Sequence, residues 1–251
     1  MPSAPISGIC LRFWESCPDG RFHILNTWAL GWTAAIDCGV QMHGLLSKAI
    51  QFFVQDSYGI ALWDTILQRS GVAQQLGPDG FEAMQLYDPS LVDAVLACAA
   101  DLLATPRDSL LEDLGTYVVS NDRMEALRRL LRFGGVSFTD FLHSLEDLQG
   151  RTRLAVPDLH LPAITLDEEG PGRFRLTCHQ CPGGFGHVMV GLLRTLADDY
   201  GALVVLEHCG DSPPAPARRA DRRYDEGIAI ELHDPAYHAG RRFELAVTEG
   251  L

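Results

Sequence analysis

The chain has 251 residues, of which 47% are hydrophobic and 21% charged, a composition that suits one globular domain with or without an appendage. Its net charge of −13 makes nucleic acid and anionic membrane surfaces poor partners. Seven cysteines at irregular spacings predict a reducing compartment, the cytoplasm. No apolar run of about 18 residues is free of charge, so no transmembrane helix is expected. The N-terminus does not have the pattern of a secretory leader.

Residues 1–41 differ from the rest of the chain, because they mix Trp, Cys, Pro and Gly without a sustained helical or strand period. From there onward, apolar residues recur at helical spacing. Gly59 is predicted to end the first helix, and Asp88 followed by Pro89 is predicted to begin the third. The six predicted helices span residues 42–59, 60–72, 88–106, 106–120, 121–135 and 137–155.

The pattern changes after Pro157. Two strands within residues 162–179 flank a Gly-Pro-Gly turn and predict a hairpin, and a strongly periodic helix follows at 184–201. Strands are predicted at 202–208 and 226–234, separated by a polar, proline-rich loop. The fold class is therefore predicted as α+β: an N-terminal helical lobe followed by a small antiparallel-rich sheet with one packed helix.

Several ordered motifs resemble the H-NOX family, the heme–nitric oxide/oxygen binding (HNOB) domains related to the heme domain of soluble guanylate cyclase. The resemblance rests on Met42-His43-Gly44, on a Gly and a Trp within residues 59–63, and on two longer stretches, YDPSLVDAVLACAADLL and RRLLRFGGVSFTDFLHSLEDL. It covers residues 42–245 and implies a bacterial gas-sensor fold. Because family members commonly start at the residue matching Met42, we expect residues 1–41 to be a disordered extension or a mis-called start, and residues 42–251 to form the sensor domain.

The resemblance implies a heme cofactor that senses NO or O2, held by an axial histidine at the end of the motif F-L-x-x-L-D-x-L-H. The matching stretch FLHSLEDLQ places Gln149 there, and a carboxamide is a weak iron ligand; Pro162 aligns downstream. The family's propionate-binding motif, Tyr-x-Ser-x-Arg, aligns with Cys178, Gln180 and Pro182, none of which supplies a cation. We expect the fold to be kept while both heme contacts are replaced.

Three interpretations follow from this replacement. The first is a heme protein in which another histidine binds the iron, with His143, His160 and His187 as candidates. The second is a heme-independent regulatory module of the same fold. The third is a metal or redox site.

A cysteine cluster carries the third interpretation. Cys178 and Cys181 form a C-x-x-C, and His208-Cys209 follow later in the chain. Four such donors suit tetrahedral zinc, and a strand, a returning helix and a second strand leave both pairs at one side of the sheet. The same residues could act as a thiol sensor.

No nucleophile–base pair or catalytic signature is present, so we do not expect an enzyme. The sequence contains no recognisable effector domain, so any output is expected to pass to a separate signalling protein. By resemblance to bacterial members, that partner would be a histidine kinase or a cyclic-di-GMP enzyme. In such sensors a diatomic gas weakens the bond between the iron and its protein ligand, and the helical lobe then moves against the sheet.

Overall fold

The computed structural model describes residues 41–77, 79–131, 135–212 and 223–233. Residues 1–40 of the predicted extension, the Gly134 end of the fifth predicted helix and most of the proline-rich loop lie outside these ranges. Within them the helices are α1 Gly44–Tyr58, α2 Ile60–Ser70, α3 Pro89–Leu103, α4 Arg107–Ser120, α5 Glu125–Leu131, α6 Phe138–Ser144, α7 Leu148–Ala155 and α8 Phe185–Tyr200. The strands are β1 Met42–His43, β2 Leu86–Tyr87, β3 Ala163–Gly170, β4 Arg173–Pro182, β5 Val204–Ser212 and β6 Arg223–Leu232.

Local sequence signals set the helix ends as predicted. Gly59 ends α1 with a φ of 94°, a value that a residue with a side chain rarely adopts. Asp88 caps α3 through a 2.8 Å hydrogen bond from the Ser90 N–H, and Pro89 begins the helix. These predictions are confirmed.

The helix predicted at residues 137–155 is divided in the structure. It ends as α6, passes through a 3-10 turn at Leu145–Asp147 and resumes as α7. Leu145, in this turn, and Leu148, at the start of α7, are both buried.

Four antiparallel strands form the main sheet in the order β3-β4-β6-β5. Strand alternation turns Phe174, Leu176 and Cys178 of β4 inward, and Ile228 and Ile230 of β6 do the same. Helix α8 packs its apolar face on this side of the sheet. The result is an α+β fold with a helical half followed by a small antiparallel sheet and one packed helix, so the predicted fold class is confirmed.

Two hydrophobic cores stabilise the domain. One lies between α8 and the sheet, and the other lies among α1 to α4. Leu161, in the segment between α7 and β3, packs against both cores. The segment before β3 therefore joins the two halves of the fold.

Helices α4 and α8 cross at very short range. A Cβ atom added at Gly115 would lie 2.0 Å from the Val188 carbonyl oxygen, and one added at Gly191 would lie 1.9 Å from the Glu112 carbonyl oxygen. Each helix therefore presents a glycine to the backbone of the other. This crossing connects the helical half to the sheet half.

In the ranges that the structure covers, no single helix is long and apolar enough to cross a membrane. Two consecutive helices together reach that length and apolar character, by length and composition alone: Pro89–Leu103 and Arg107–Ser120. The chain bends by 106° between them.

Candidate functional site

Gln149 lies on the first turn of α7 and is partly buried. Its side-chain Nε2 donates a hydrogen bond to the Leu161 carbonyl oxygen at 2.9 Å. Pro162 is half-buried, comes directly after Leu161 in the chain and precedes β3. The residue predicted to occupy the family's ligand position is thus bonded to the protein's own backbone.

The three residues aligned with the propionate motif do not share one environment. Cys178 is 0% exposed inside the sheet core, and burial, with a smaller effect from Glu226, raises its thiol pKa to about 12. Gln180 and Pro182 are exposed. Gln180 adopts a φ of 50°, and its backbone N–H donates to Asp225 Oδ1 at 2.8 Å.

These groups do not fit a heme. An axial ligand needs a strong donor such as an imidazole nitrogen, whereas Gln149 offers only the oxygen of a carboxamide, which is a weak iron ligand. Heme propionates need charge-assisted donors, and the aligned positions present a neutral buried thiol, an amide and a proline. The donor set of the family motif is therefore absent from these positions.

The three candidate substitute ligands lie on different elements and have other partners. His143 Nε2 is 3.2 Å from Glu168 Oε1 at the surface. His160 is exposed, with Nδ1 3.0 Å from the Asp158 carbonyl oxygen. His187, on α8, stacks on His208 with ring centroids 4.1 Å apart. The structure gives each of them a different set of neighbours.

The four residues predicted to bind zinc do not converge. Cys178 and Cys181 are buried, and His208 occupies the same inward row as Leu176. Cys209 is the next residue along β5, so alternation turns it to the outer face, where Arg175 Nη1 lies 3.4 Å from its sulfur. Within the described part of the chain, no group of three or more His, Cys, Asp or Glu side chains is arranged to hold a metal. The structure gives the zinc interpretation no support.

Sequence reasoning missed the most unusual polar residue of the sheet. Glu226 on β6 is 0% exposed. Its carboxylate accepts hydrogen bonds from the backbone N–H groups of Gly184, at 2.7 Å, and Gly186, and His208 Nε2 lies 3.5 Å from it. The sequence did contain a signal, since Glu226 is in phase with the buried Ile228. Glu226 holds the first turn of α8 against the sheet and complements the helix dipole there.

The stacked imidazoles extend this polar contact to the helical half. His187 Nδ1 lies 3.5 Å from Glu112 Oε1 and its Nε2 lies 3.7 Å from Asp108 Oδ2, both on α4. Arg194 Nη2 lies 3.0 Å from the other Glu112 oxygen. This arrangement positions α4, α8 and β5 relative to one another, and the cluster contains no nucleophile next to a base.

The burial of the cysteines predicts a sharp difference in alkylation. Burial, followed by Glu226 and Cys178, raises the pKa of Cys181, and Cys178 is similarly affected, so both thiols stay protonated and inaccessible. We expect iodoacetamide to label Cys209 in the native protein and to label Cys178 and Cys181 only after unfolding, as read by peptide mass spectrometry. Native labelling of the buried pair at the rate of Cys209 would contradict this burial.

The family model described as Haem-NO-binding (HNOB) matches residues 43–208. Soluble guanylate cyclase gcy-31 of Caenorhabditis elegans is 25% identical over 167 residues, which are 66% of this chain and 23% of that protein. Soluble guanylate cyclase 89Db of Drosophila melanogaster is 24% identical over 162 residues, 64% of this chain and 24% of that protein. The chain thus spans about a quarter of the length of these relatives.

Solved structures show the same fold at low identity. A Cs H-NOX variant carrying 4-cyano-L-phenylalanine superimposes with a TM-score of 0.63 at 13% identity, covering 78% of this chain and 100% of that one. An oxygen-binding H-NOX domain related to soluble guanylate cyclases gives 0.60 at 13% identity, covering 80% and 100%. The family model, the cyclase relatives and the fold agree, and the chain belongs to the Haem-NO-binding (H-NOX) family.

Proposed function

We propose that this protein is a sensory or regulatory domain of the H-NOX family that works without heme coordination. One observation carries the proposal: Gln149, at the family's ligand position, donates its amide N–H to the Leu161 carbonyl. A carboxamide is a poor iron ligand even when free. The hydrogen bond also fixes the orientation of the amide, whose oxygen is the atom that would have to coordinate iron.

The propionate positions support the same proposal. A heme carries two carboxylates, whose burial has a high energetic cost unless cations or several donors meet them. Cys178 is a buried neutral thiol, and Pro182 has no N–H to donate. This part of the chain therefore lacks the usual compensation for the charge of the cofactor.

The zinc and thiol alternative has less support. Cys209 lies on the opposite face of the sheet from Cys178 and Cys181. The raised pKa of the buried thiols works against both metal binding and oxidation, because each requires the thiolate. No observation in the described residues favours this alternative over a heme-independent regulatory domain.

The output of the domain is proposed to pass to a separate protein. Relatives of which the matched segment forms about a quarter are named as soluble guanylate cyclases, so a catalytic partner fits the family. A histidine kinase or a cyclic-di-GMP enzyme remains our proposal for that partner, and a reducing cytoplasm remains the proposed location. We also propose that residues 42–251 form the regulatory domain and that residues 1–41 are an extension or a mis-called start.

A hemin titration of the full chain tests the proposal. We expect a broad, non-saturating Soret band that nitric oxide does not shift, because no strong axial donor is in place. The matched control is Gln149→His, which restores an imidazole at the ligand position. A sharp, stoichiometric band that shifts with nitric oxide in the unmodified protein would overturn the proposal. Alanine substitutions at His143, His160 and His187 would then locate the ligand.

A further inference from the structure

Helix α7 buries few of its side chains. Only Leu148 and Thr152 among its side chains are buried, whereas α8 buries eight residues. Leu154, near its end, is 88% exposed. Because stability is distributed unevenly in a fold, an element with so little buried surface is expected to open locally before the sheet does.

The Gln149 side chain adds a long-range contact to this weakly held helix. Its hydrogen bond to the Leu161 carbonyl spans 12 residues and ties the first turn of α7 to the segment before β3. The distance of 2.9 Å is that of a well-formed N–H···O bond. The bond is partly buried, so water competes for it less than at the surface.

The acceptor belongs to the residue that joins the two cores. Leu161 packs against both the helical core and the sheet core, and Leu159 is 0% exposed within the helical core. A bond that fixes the Leu161 carbonyl therefore orients the junction of the two halves. Gln149 connects this junction to α7 directly.

We propose that Gln149 is a positioning residue that latches α7 to the junction of the two cores, and that this latch keeps the domain in one arrangement. The inference rests on the proposed heme-independent function and assigns a role to the same position. The link is a neutral amide bonded to a backbone carbonyl. Neither a diatomic gas nor a change of redox state alters such a bond, so α7 moves only when a competing contact breaks it.

Hydrogen exchange in two variants tests the latch. Gln149→Met keeps the length of the side chain without a donor, and Gln149→Glu keeps its shape but cannot donate as a carboxylate. In both, we expect the backbone amides of residues 152–156 to exchange about 2- to 10-fold faster, while those of β4 and β6 keep their rates. Arg153→Met, at an exposed position of the same helix, is the matched control and should leave the exchange unchanged.

Three results would overturn the latch. Unchanged exchange in both variants would show that the bond does not hold α7. Faster exchange in Gln149→Glu alone would point to repulsion between the carboxylate and the carbonyl. Equal acceleration across the whole domain would mean that Gln149 supports global stability without a local role. Because none of these results depends on heme, the latch can fail while the proposed function stands, and a positive hemin titration would reject the function without changing the exchange data.

Discussion

Substitution of Gly191 by alanine is expected to destabilise the domain by about 3–5 kcal/mol. The added Cβ would lie 1.9 Å from the Glu112 carbonyl oxygen, far inside van der Waals contact, and the obstructing atom belongs to a helix backbone that cannot rotate away. Relief requires α4 and α8 to separate, which also weakens packing along the rest of their contact. The helix-propensity gain of about 1 kcal/mol from Gly to Ala is too small to compensate.

Urea unfolding monitored by circular dichroism measures this effect. The matched control is Gly150→Ala on α7, where an added Cβ would meet no heavy atom within 4 Å. There we expect a small stabilisation of about 0.5–1 kcal/mol, because the helix gains propensity without a clash. A Gly191 variant as stable as the unmodified protein would show that the two helices do not cross this closely in solution.

The sequence predicts the elements of this fold well, because their signals are local. Caps such as Asp88 and the alternation of β4 and β6 depend only on neighbouring residues and could be read directly. The division of the helix at residues 137–155 could not, since the 3-10 turn at Leu145–Asp147 contains no Gly or Pro that would mark it. Tertiary packing decides such breaks.

In the candidate site, too, some side-chain directions follow from local sequence and others do not. That His208 and Cys209 point to opposite faces follows from the two-residue period of a strand and could have been predicted. That Cys178 and Cys181 both point inward could not, because an odd spacing normally separates faces. A β-bulge between them, with Gln180 at a φ of 50°, inserts the extra residue that restores the inward direction.

The role of Gln149 was only half visible in the sequence. The resemblance predicts that it occupies the ligand position, where family members have an imidazole. Its hydrogen bond to Leu161 depends on how the segment of residues 156–162 folds back over α7, which no local pattern encodes. The sequence alone therefore identifies Gln149 as unusual, and only the folded structure reveals its hydrogen bond to Leu161.

The second large effect is expected at Glu226, where substitution by glutamine should lower stability by about 2–3 kcal/mol. The carboxylate accepts N–H groups from both Gly184 and Gly186, one on each oxygen. A carboxamide of the same shape offers one oxygen and one NH2 group, so one buried N–H would face another donor. Loss of the negative charge also removes a favourable interaction with the start of α8.

One effect of the substitution opposes this loss of stability. A carboxylate that is 0% exposed has lost its hydration, and a neutral amide would not bear that cost. Two backbone donors already compensate that cost in the native protein, and glutamine leaves one of them without its acceptor. We therefore expect the net effect to be destabilising and to lower Tm by about 5–10 °C, as measured by calorimetry.

Glu231→Gln on the same strand is the matched control for Glu226. Its side chain is 53% exposed and lies 3.9 Å from Arg173 Nε, a surface pair whose loss should change stability by less than about 1 kcal/mol. A Glu226→Gln variant as stable as this control would mean that relief of the buried charge outweighs the lost hydrogen bonds. The first turn of α8 would then be held mainly by apolar packing on the sheet, and the polar contact between β6 and α8 would add little to the attachment of this helix.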